Sequence, residues 1–339
     1  MHRKTLKRLA LSIAVVAAII VAAVGVAAVG NDYRFTQTAV QIPMGVGHLE
    51  GVLTTPRQGE AKGLVVVVHG DAAVEATQDG LYFPWFEGAA DAGWATLSWS
   101  KPGVGGSSGN WLDQSMDDRA AEVSAAIDWA LGEQQVPTDR IILWGASQAG
   151  WVVPKVVAER DDIDGVVAVG TAINWLSQGR YNLLAELDRR GATTAERDQA
   201  IAESDRVREL LARGASYDEY LAVTTEQSPM SADRWAFVGR NAKADATDDL
   251  RAAATREIPV LLMVGLHDRN VDVGETEKVY RDVFGTALTV KSFDSAHSMA
   301  RPIVEDNAVV GTTVGLLWPR ALLAPDVIDG YRDFLREIG

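Results

Sequence analysis

The stretch Ile141-Ile142-Leu143-Trp144-Gly145-Ala146-Ser147-Gln148-Ala149-Gly150 decides how the rest of the chain is read. An apolar run leads straight into a tight turn with a serine at its tip, and a helix-compatible stretch follows from Trp151 to Glu159. This is the layout of a nucleophile elbow, a strained strand–turn–helix corner that lifts a serine hydroxyl clear of the backbone. Backbone folded that tightly has no room for bulk two positions either side of the serine. Gly145 meets the need, and Ala149 stands where the pattern prefers glycine. Serine and glycine are common, and a plain surface turn after a buried strand would read the same, so the remainder of the chain has to arbitrate.

Working outward, the sequence offers eight candidate strands. Thr36–Met44 and His48–Thr54 are parted by Gly45-Val46-Gly47 and read as a hairpin. Gly63–His69 holds the continuous run Leu64-Val65-Val66-Val67-Val68, the pattern of a strand buried on both faces of a parallel sheet. Trp94–Ser100, Ile141–Trp144, Gly165–Val169, Ile258–Gly265 and Leu288–Phe293 follow. Most are separated by helix-patterned segments, which predicts right-handed crossovers and a mostly parallel sheet with helices on both faces. Asp117–Leu131 is one such helix: Ala120, Val123, Ile127, Ala130 and Leu131 share an apolar face, with Asp118, Arg119, Glu122 and Asp128 away from most of it. The interval from Gly170 to Ile258 is too long for a simple crossover. Thr193 and Glu196 form a capping box for a helix through Ile201, Val207, Leu210 and Leu211 to Gly214. Its aromatic content (Trp175, Tyr181, Tyr217, Tyr220, Trp235, Phe237) predicts a packed helical cap inserted at about residues 171–257 of a single domain spanning 31–339.

Composition narrows the function classes. A formal net charge of −14 argues against nucleic-acid binding, which needs a basic face for phosphates. With 0 cysteines, disulfides, thiolate nucleophiles and cysteine-ligated metals are excluded. No cluster of histidines and carboxylates has metal-ligand spacing, so neither a metal nor another cofactor is expected. The glycine-rich Gly103–Gly109 segment lacks the Gly-Lys-Ser/Thr ending of a phosphate-binding loop and reads as a turn at the sheet edge.

A serine hydroxyl needs a base, and the base needs an acid to hold its tautomer. In strand–turn–helix serine hydrolases the chain order is serine, acid, histidine. Of the 5 histidines (His2, His48, His69, His267, His297), only His267 and His297 follow Ser147. The acid is expected just past the strand that follows the insertion, which selects Asp268, with Asp272 as the alternative. Only His297 follows Asp268, and it sits in the loop after the last strand. His267 reads as a strand-exit residue at the rim. An oxyanion would be held by two backbone N–H groups. These are expected from Gln148, next after the serine, and from Asp71 or a neighbour in the loop after the valine run, with the Asp71 carboxylate turned away.

At these residues the chain resembles the α/β-hydrolase superfamily, and within it bacterial esterase, dienelactone-hydrolase-like and serine-aminopeptidase-like members. The matching pieces are Val67-Val68-His69-Gly70, Ser100-Lys101-Pro102-Gly103-Val104-Gly105-Gly106-Ser107, the Gly145–Gly150 corner, Gly265-Leu266-His267-Asp268 and Ser295-Ala296-His297, covering residues 36–339. Relatives often carry an acid where this chain has Ser100, and true dienelactone hydrolases use cysteine where it has Ser147. The resemblance implies an eight-stranded α/β-hydrolase fold with a cap. It also implies a serine hydrolase acting on a small-molecule or acyl substrate through an acyl-enzyme, first of all a carboxylesterase. A peptidase, a thioesterase or a non-catalytic hydrolase-like binding module are the alternatives. The Asp71–Glu87 loop, with Leu81, Tyr82, Phe83, Pro84, Trp85 and Phe86, is expected at the pocket, and Trp111 and Trp151 either at its rim or packed beneath the cap.

Residues 1–30 are separate. His2, Arg3, Lys4, Lys7 and Arg8 precede an uncharged run from Leu9 to Gly30. A helix of that length spans roughly 30 Å of hydrocarbon, which predicts a transmembrane anchor with a cytoplasmic basic head and the catalytic domain outside the cytoplasm. Small residues at Ala27, Ala28 and Gly30 leave signal cleavage and secretion as the alternative.

Overall fold

The computed structural model describes residues 15, 17, 18 and 20–339. Its centre is an eight-stranded sheet in the order β1-β2-β4-β3-β5-β6-β7-β8. The strands are β1 (Phe35–Met44), β2 (Gly47–Pro56), β3 (Leu64–Val68), β4 (Ala95–Trp99), β5 (Ile141–Ala146), β6 (Gly165–Val169), β7 (Val260–Gly265) and β8 (Leu288–Phe293). The β1–β2 and β2–β4 pairs are antiparallel, and every later pair is parallel. All eight lie where the sequence patterns put them. The valine run works as expected: Leu64, Val66 and Val68 enter one core and Val65 and Val67 the other, so β3 is buried on both faces.

Helices cover both faces. Trp85, Phe86 and Ala89 of α1 (Phe83–Asp91) pack on one side with Tyr331, Phe334 and Leu335 near the C-terminus. Ala120, Val123 and Ile127 of α2 (Met116–Gly132) and Val153, Val156 and Val157 of α3 (Val153–Glu159) cover the other. Two positions in α2 depart from expectation. Leu131 is exposed, because the apolar stripe ends a residue earlier, and Arg119 is buried. Ser115 caps α2 in a capping box with Asp118, which sets Arg119 one turn in and aims it beneath the sheet's carboxyl edge.

Between β6 and β7 lie α4 (Trp175–Arg189), α5 (Thr194–Ala212), α6 (Tyr217–Val223), α7 (Ala232–Asn241) and α8 (Thr247–Ala254). The Thr193–Glu196 capping box forms as read. Leu210, Tyr220 and Trp235 make a small separate core, with the last two rings stacked at 4.5 Å. Leu250 and Ala253 of α8 belong to the main core instead, so α8 is an ordinary crossover helix.

The expected membrane anchor, and with it the location outside the cytoplasm, has to be corrected. Among the described residues no helix is long and apolar enough to cross a membrane. The end of the apolar run docks on the protein itself: Gly30 is buried against Leu317 and Trp318, and the Arg320 guanidinium donates to the Gly30 carbonyl at 2.6 Å. The basic head and the start of the apolar run lie outside the described residues.

Candidate active site

The corner after β5 forms as a strand running into a short 3-10 turn, Ser147–Trp151, and then α3. Ser147 has φ +53°, a left-handed conformation that costs a non-glycine residue of order 1 kcal/mol or more and recurs at functional sites. Crowding explains the small neighbours. A Cβ on Gly145 would lie 2.7 Å from the Val153 side chain and 3.0 Å from Ala149 Cβ, while Ala149 itself is fully buried and fits. Gly70, in the loop after β3, approaches closely too: a Cβ there would sit 3.2 Å from Ser147 Cβ.

Asp268 and His297 meet. Asp268 Oδ2 lies 2.8 Å from His297 Nδ1. Its Oδ1 accepts the backbone N–H groups of Asn270 at 2.8 Å and Val271 at 2.9 Å. Those bonds anchor a fully buried carboxylate side chain and fix which oxygen faces the imidazole. The alternatives lie elsewhere: Asp272 caps the helix Val273–Phe284, and exposed His267 pairs with Asp294 at 2.6 Å. Ser147 and His297 share the wall of one cavity of about 360 Å³. No direct bond joins them among the described contacts.

Gln148 and Asp71 also come together, by their side chains. Gln148 Nε2 donates to Asp71 Oδ1 at 3.1 Å. Arg234 of α7 holds that carboxylate through both oxygens. Arg119 donates to Gln148 Oε1 at 2.6 Å and to the His69 carbonyl at 2.7 Å, and Lys101 donates to the Gly70 carbonyl. Burial would raise the Asp71 pKa, but the hydrogen bonds and charge of Arg234 hold it below the usual value. Burial, with Arg119 nearby, drives Lys101 well below the ordinary lysine value. Among the described residues the Asp71 N–H has no hydrogen-bond partner. The Gln148 N–H is in the first turn of the 3-10 segment, where no intrahelical acceptor exists. Both are free to donate.

Sequence reasoning missed Arg119, Arg234, Lys101 and the Gln148 side chain. Arg119 carried a faint signal, a cation just behind a capping box at the edge of an apolar stripe. Arg234 carried none. The pocket walls came out in part as expected: Tyr82 and Trp85 line the cavity with Val74, Trp144 and Val169. Trp111 and Trp151 do not; they pack on Phe237 and Trp175, with ring centroids 5.2 and 4.9 Å apart.

The family model described as "Serine aminopeptidase, S33" matches residues 59–299, most of the chain. The chain belongs to this family. It is therefore a hydrolase of the α/β-hydrolase superfamily. Solved structures agree on the fold. The Pyrococcus furiosus esterase Pf2001 superposes with TM-score 0.55 at 16% identity, covering 90% of this chain and 94% of that one. Est1E from Butyrivibrio proteoclasticus, solved with ferulic acid bound, gives 0.54 at 16% identity, with 88% and 97% covered. An esterase from Pyrobaculum calidifontis gives 0.52 at 15%, with 94% and 90% covered. At such identities these likenesses speak for the fold alone. No curated protein matches this sequence.

Proposed function

We propose that this S33-family protein is a serine hydrolase that cleaves an ester-type bond of a small-molecule substrate through an acyl-enzyme, a carboxylesterase first of all. The observation that carries the reading is Ser147, strained at φ +53° in a cavity shared with His297, whose Nδ1 faces the anchored carboxylate of Asp268. In this mechanism the Ser147 hydroxyl attacks the substrate carbonyl and its proton passes to His297 Nε2. Asp268 holds the proton on Nδ1 and stabilises the imidazolium. The N–H groups of Gln148 and Asp71 take the developing oxyanion. The imidazolium then protonates the leaving alkoxide. Water repeats the sequence on the acyl-serine, with His297 as base, and releases the acid.

The cavity argues for an ester over a peptide with a free amino terminus. An aminopeptidase must hold the substrate's α-ammonium, which calls for an unpaired carboxylate. Asp71 is the acid among the residues lining the cavity, and it is already bound to Arg234. Helices α4–α7 act as a cap within one domain: Gln178 donates to the Asn270 carbonyl at 2.8 Å and Tyr181 to the Asp268 carbonyl at 3.0 Å, gripping the acid loop from above. About 360 Å³ is at the small end for ligand sites, which favours short acyl groups against the Tyr82, Trp85 and Trp144 wall.

The test is fluorophosphonate labelling of wild type and Ser147→Ala, with a p-nitrophenyl ester chain-length series run beside peptide and thioester substrates. Labelling that needs Ser147, with rates falling beyond short acyl chains, is expected. Equal labelling of both forms would refute the serine mechanism, and faster peptide cleavage would refute the ester preference.

A further inference from the structure

The proposed oxyanion site contains a conflict. Asp71 offers its backbone N–H to a developing negative charge while carrying a negative charge of its own. In a desolvated site an unpaired carboxylate so close would oppose the transition state. Its side chain is 40% exposed, so water screens part of the charge and a partner has to offset the rest.

The surrounding contacts form one chain that answers this. Arg119, buried under the sheet edge, donates to Gln148 Oε1. That bond sets the amide orientation, so Gln148 Nε2 faces Asp71 Oδ1. The guanidinium of Arg234 closes the chain from the other side, with Nη1 2.9 Å from Oδ1 and Nη2 on Oδ2. Arg234 is itself braced: its guanidinium carbon lies 5.0 Å from the Phe237 ring centre, one turn along α7, and 5.7 Å from that of Trp111. Gln148 and Asp71 are the two residues whose N–H groups would hold the oxyanion. One bridge therefore ties both, and its outer end belongs to the segment inserted between β6 and β7.

Resting on the serine-hydrolase reading, the geometry points to Arg234 as a positioning and charge-compensating residue: the insertion supplies the cation that neutralises Asp71 and holds the oxyanion loop against Gln148. The insertion thus completes the reacting site as well as covering it. Loss of Arg234 strips the Asp71 charge of its ion-pair partner beside the oxyanion and leaves only the weaker pull of Lys101, and removing that charge restores the site.

The experiment compares wild type, Arg234→Met, Arg234→Lys and the double variant Arg234→Met/Asp71→Asn. It reads kcat and KM for p-nitrophenyl acetate, the rate of fluorophosphonate labelling and the thermal midpoint. Arg234→Met should lose about ten- to a hundredfold in kcat, less than or equal to the loss of one oxyanion donor, with KM within about twofold. Arg234→Lys should keep most of the rate. The double variant should recover at least half of the logarithmic loss, which a packing defect would not do. Wild-type kcat in folded Arg234→Met, or a double variant no faster than the single, overturns the inference while leaving the serine mechanism intact. A wild type that neither labels nor turns over overturns that mechanism and this inference with it.

Discussion

Asp268→Asn is the substitution whose cost can be worked through most fully. Asp268 Oδ1 accepts two backbone N–H groups at 2.8 and 2.9 Å, and Oδ2 accepts from His297 Nδ1 at 2.8 Å. An asparagine keeps one oxygen, and the two backbone donors claim it. Turning the amide over would set its NH2 against both donors, at about 1–3 kcal/mol for each group left unsatisfied. The NH2 therefore faces His297, whose Nδ1 must then accept, and the ring proton moves to Nε2. In that tautomer Nε2 cannot take the Ser147 proton, and the negative charge that stabilises the imidazolium is gone. A loss of about 10³–10⁴ in kcat is expected, or ~4–5.5 kcal/mol at 1.36 kcal/mol per decade. KM and fold should be little changed, since the substitution is isosteric. The assay is steady-state hydrolysis of a short p-nitrophenyl ester, with circular dichroism as the folding control. A kcat within tenfold of wild type would mean that Asp268 does not orient His297 and that the reasoning fails.

Further expectations concern the elbow and pH. Ala149→Gly should be tolerated, whereas Ala149→Val and Gly145→Ala press into the Val153–Ala149 contact. Each should cost about 1–3 kcal/mol by denaturant unfolding together with activity, and a neutral result for both would place the strain elsewhere. His69 is fully buried, and burial first, then the charge of Lys101, pushes its pKa down from 6.5 to about 3. The unfolded chain binds a proton there that the folded chain refuses. This part of the stability is present at neutral pH and is lost as pH falls from 6.5 toward 3, at up to ~1.4 kcal/mol per unit. His69→Gln should flatten the fall in urea midpoint between pH 7 and pH 4, and identical slopes would contradict this. Tyr181→Phe removes a hydroxyl donated to the Asp268 carbonyl, so a thermal shift of a few degrees with modest loss of kcat is expected, reflecting about 1 kcal/mol.

Much of this fold could be read from local pattern because the physics behind it is local. The β3 valine run must be buried on both faces, and the turn after β5 tolerates only small residues beside Ser147. The pairing of Asp268 with His297 was reachable because strand order fixes which loops meet at the carboxyl edge of a parallel sheet. Helix periodicity was less reliable at its margins. Arg119 sits at the edge of the α2 stripe, and whether that edge faces water or the loop after β3 depends on what packs against it. The apolar run before Asn31 shows the opposite failure. Length and hydropathy alone suggest an anchor, while among the described residues no helix is long and apolar enough to cross a membrane, and the end of this run rests on Leu317 and Arg320.

The sequence by itself determined the sheet, the elbow, and the chain order that singles out Ser147, Asp268 and His297, since each depends on the spacing of neighbours along the chain. Only the tertiary structure decided what surrounds them. Arg234 and Asp71 are 163 residues apart, and no periodicity relates them. The two surface-patterned residues meet only because the segment inserted between β6 and β7 folds over the sheet edge and brings Arg234 onto the Asp71 carboxylate.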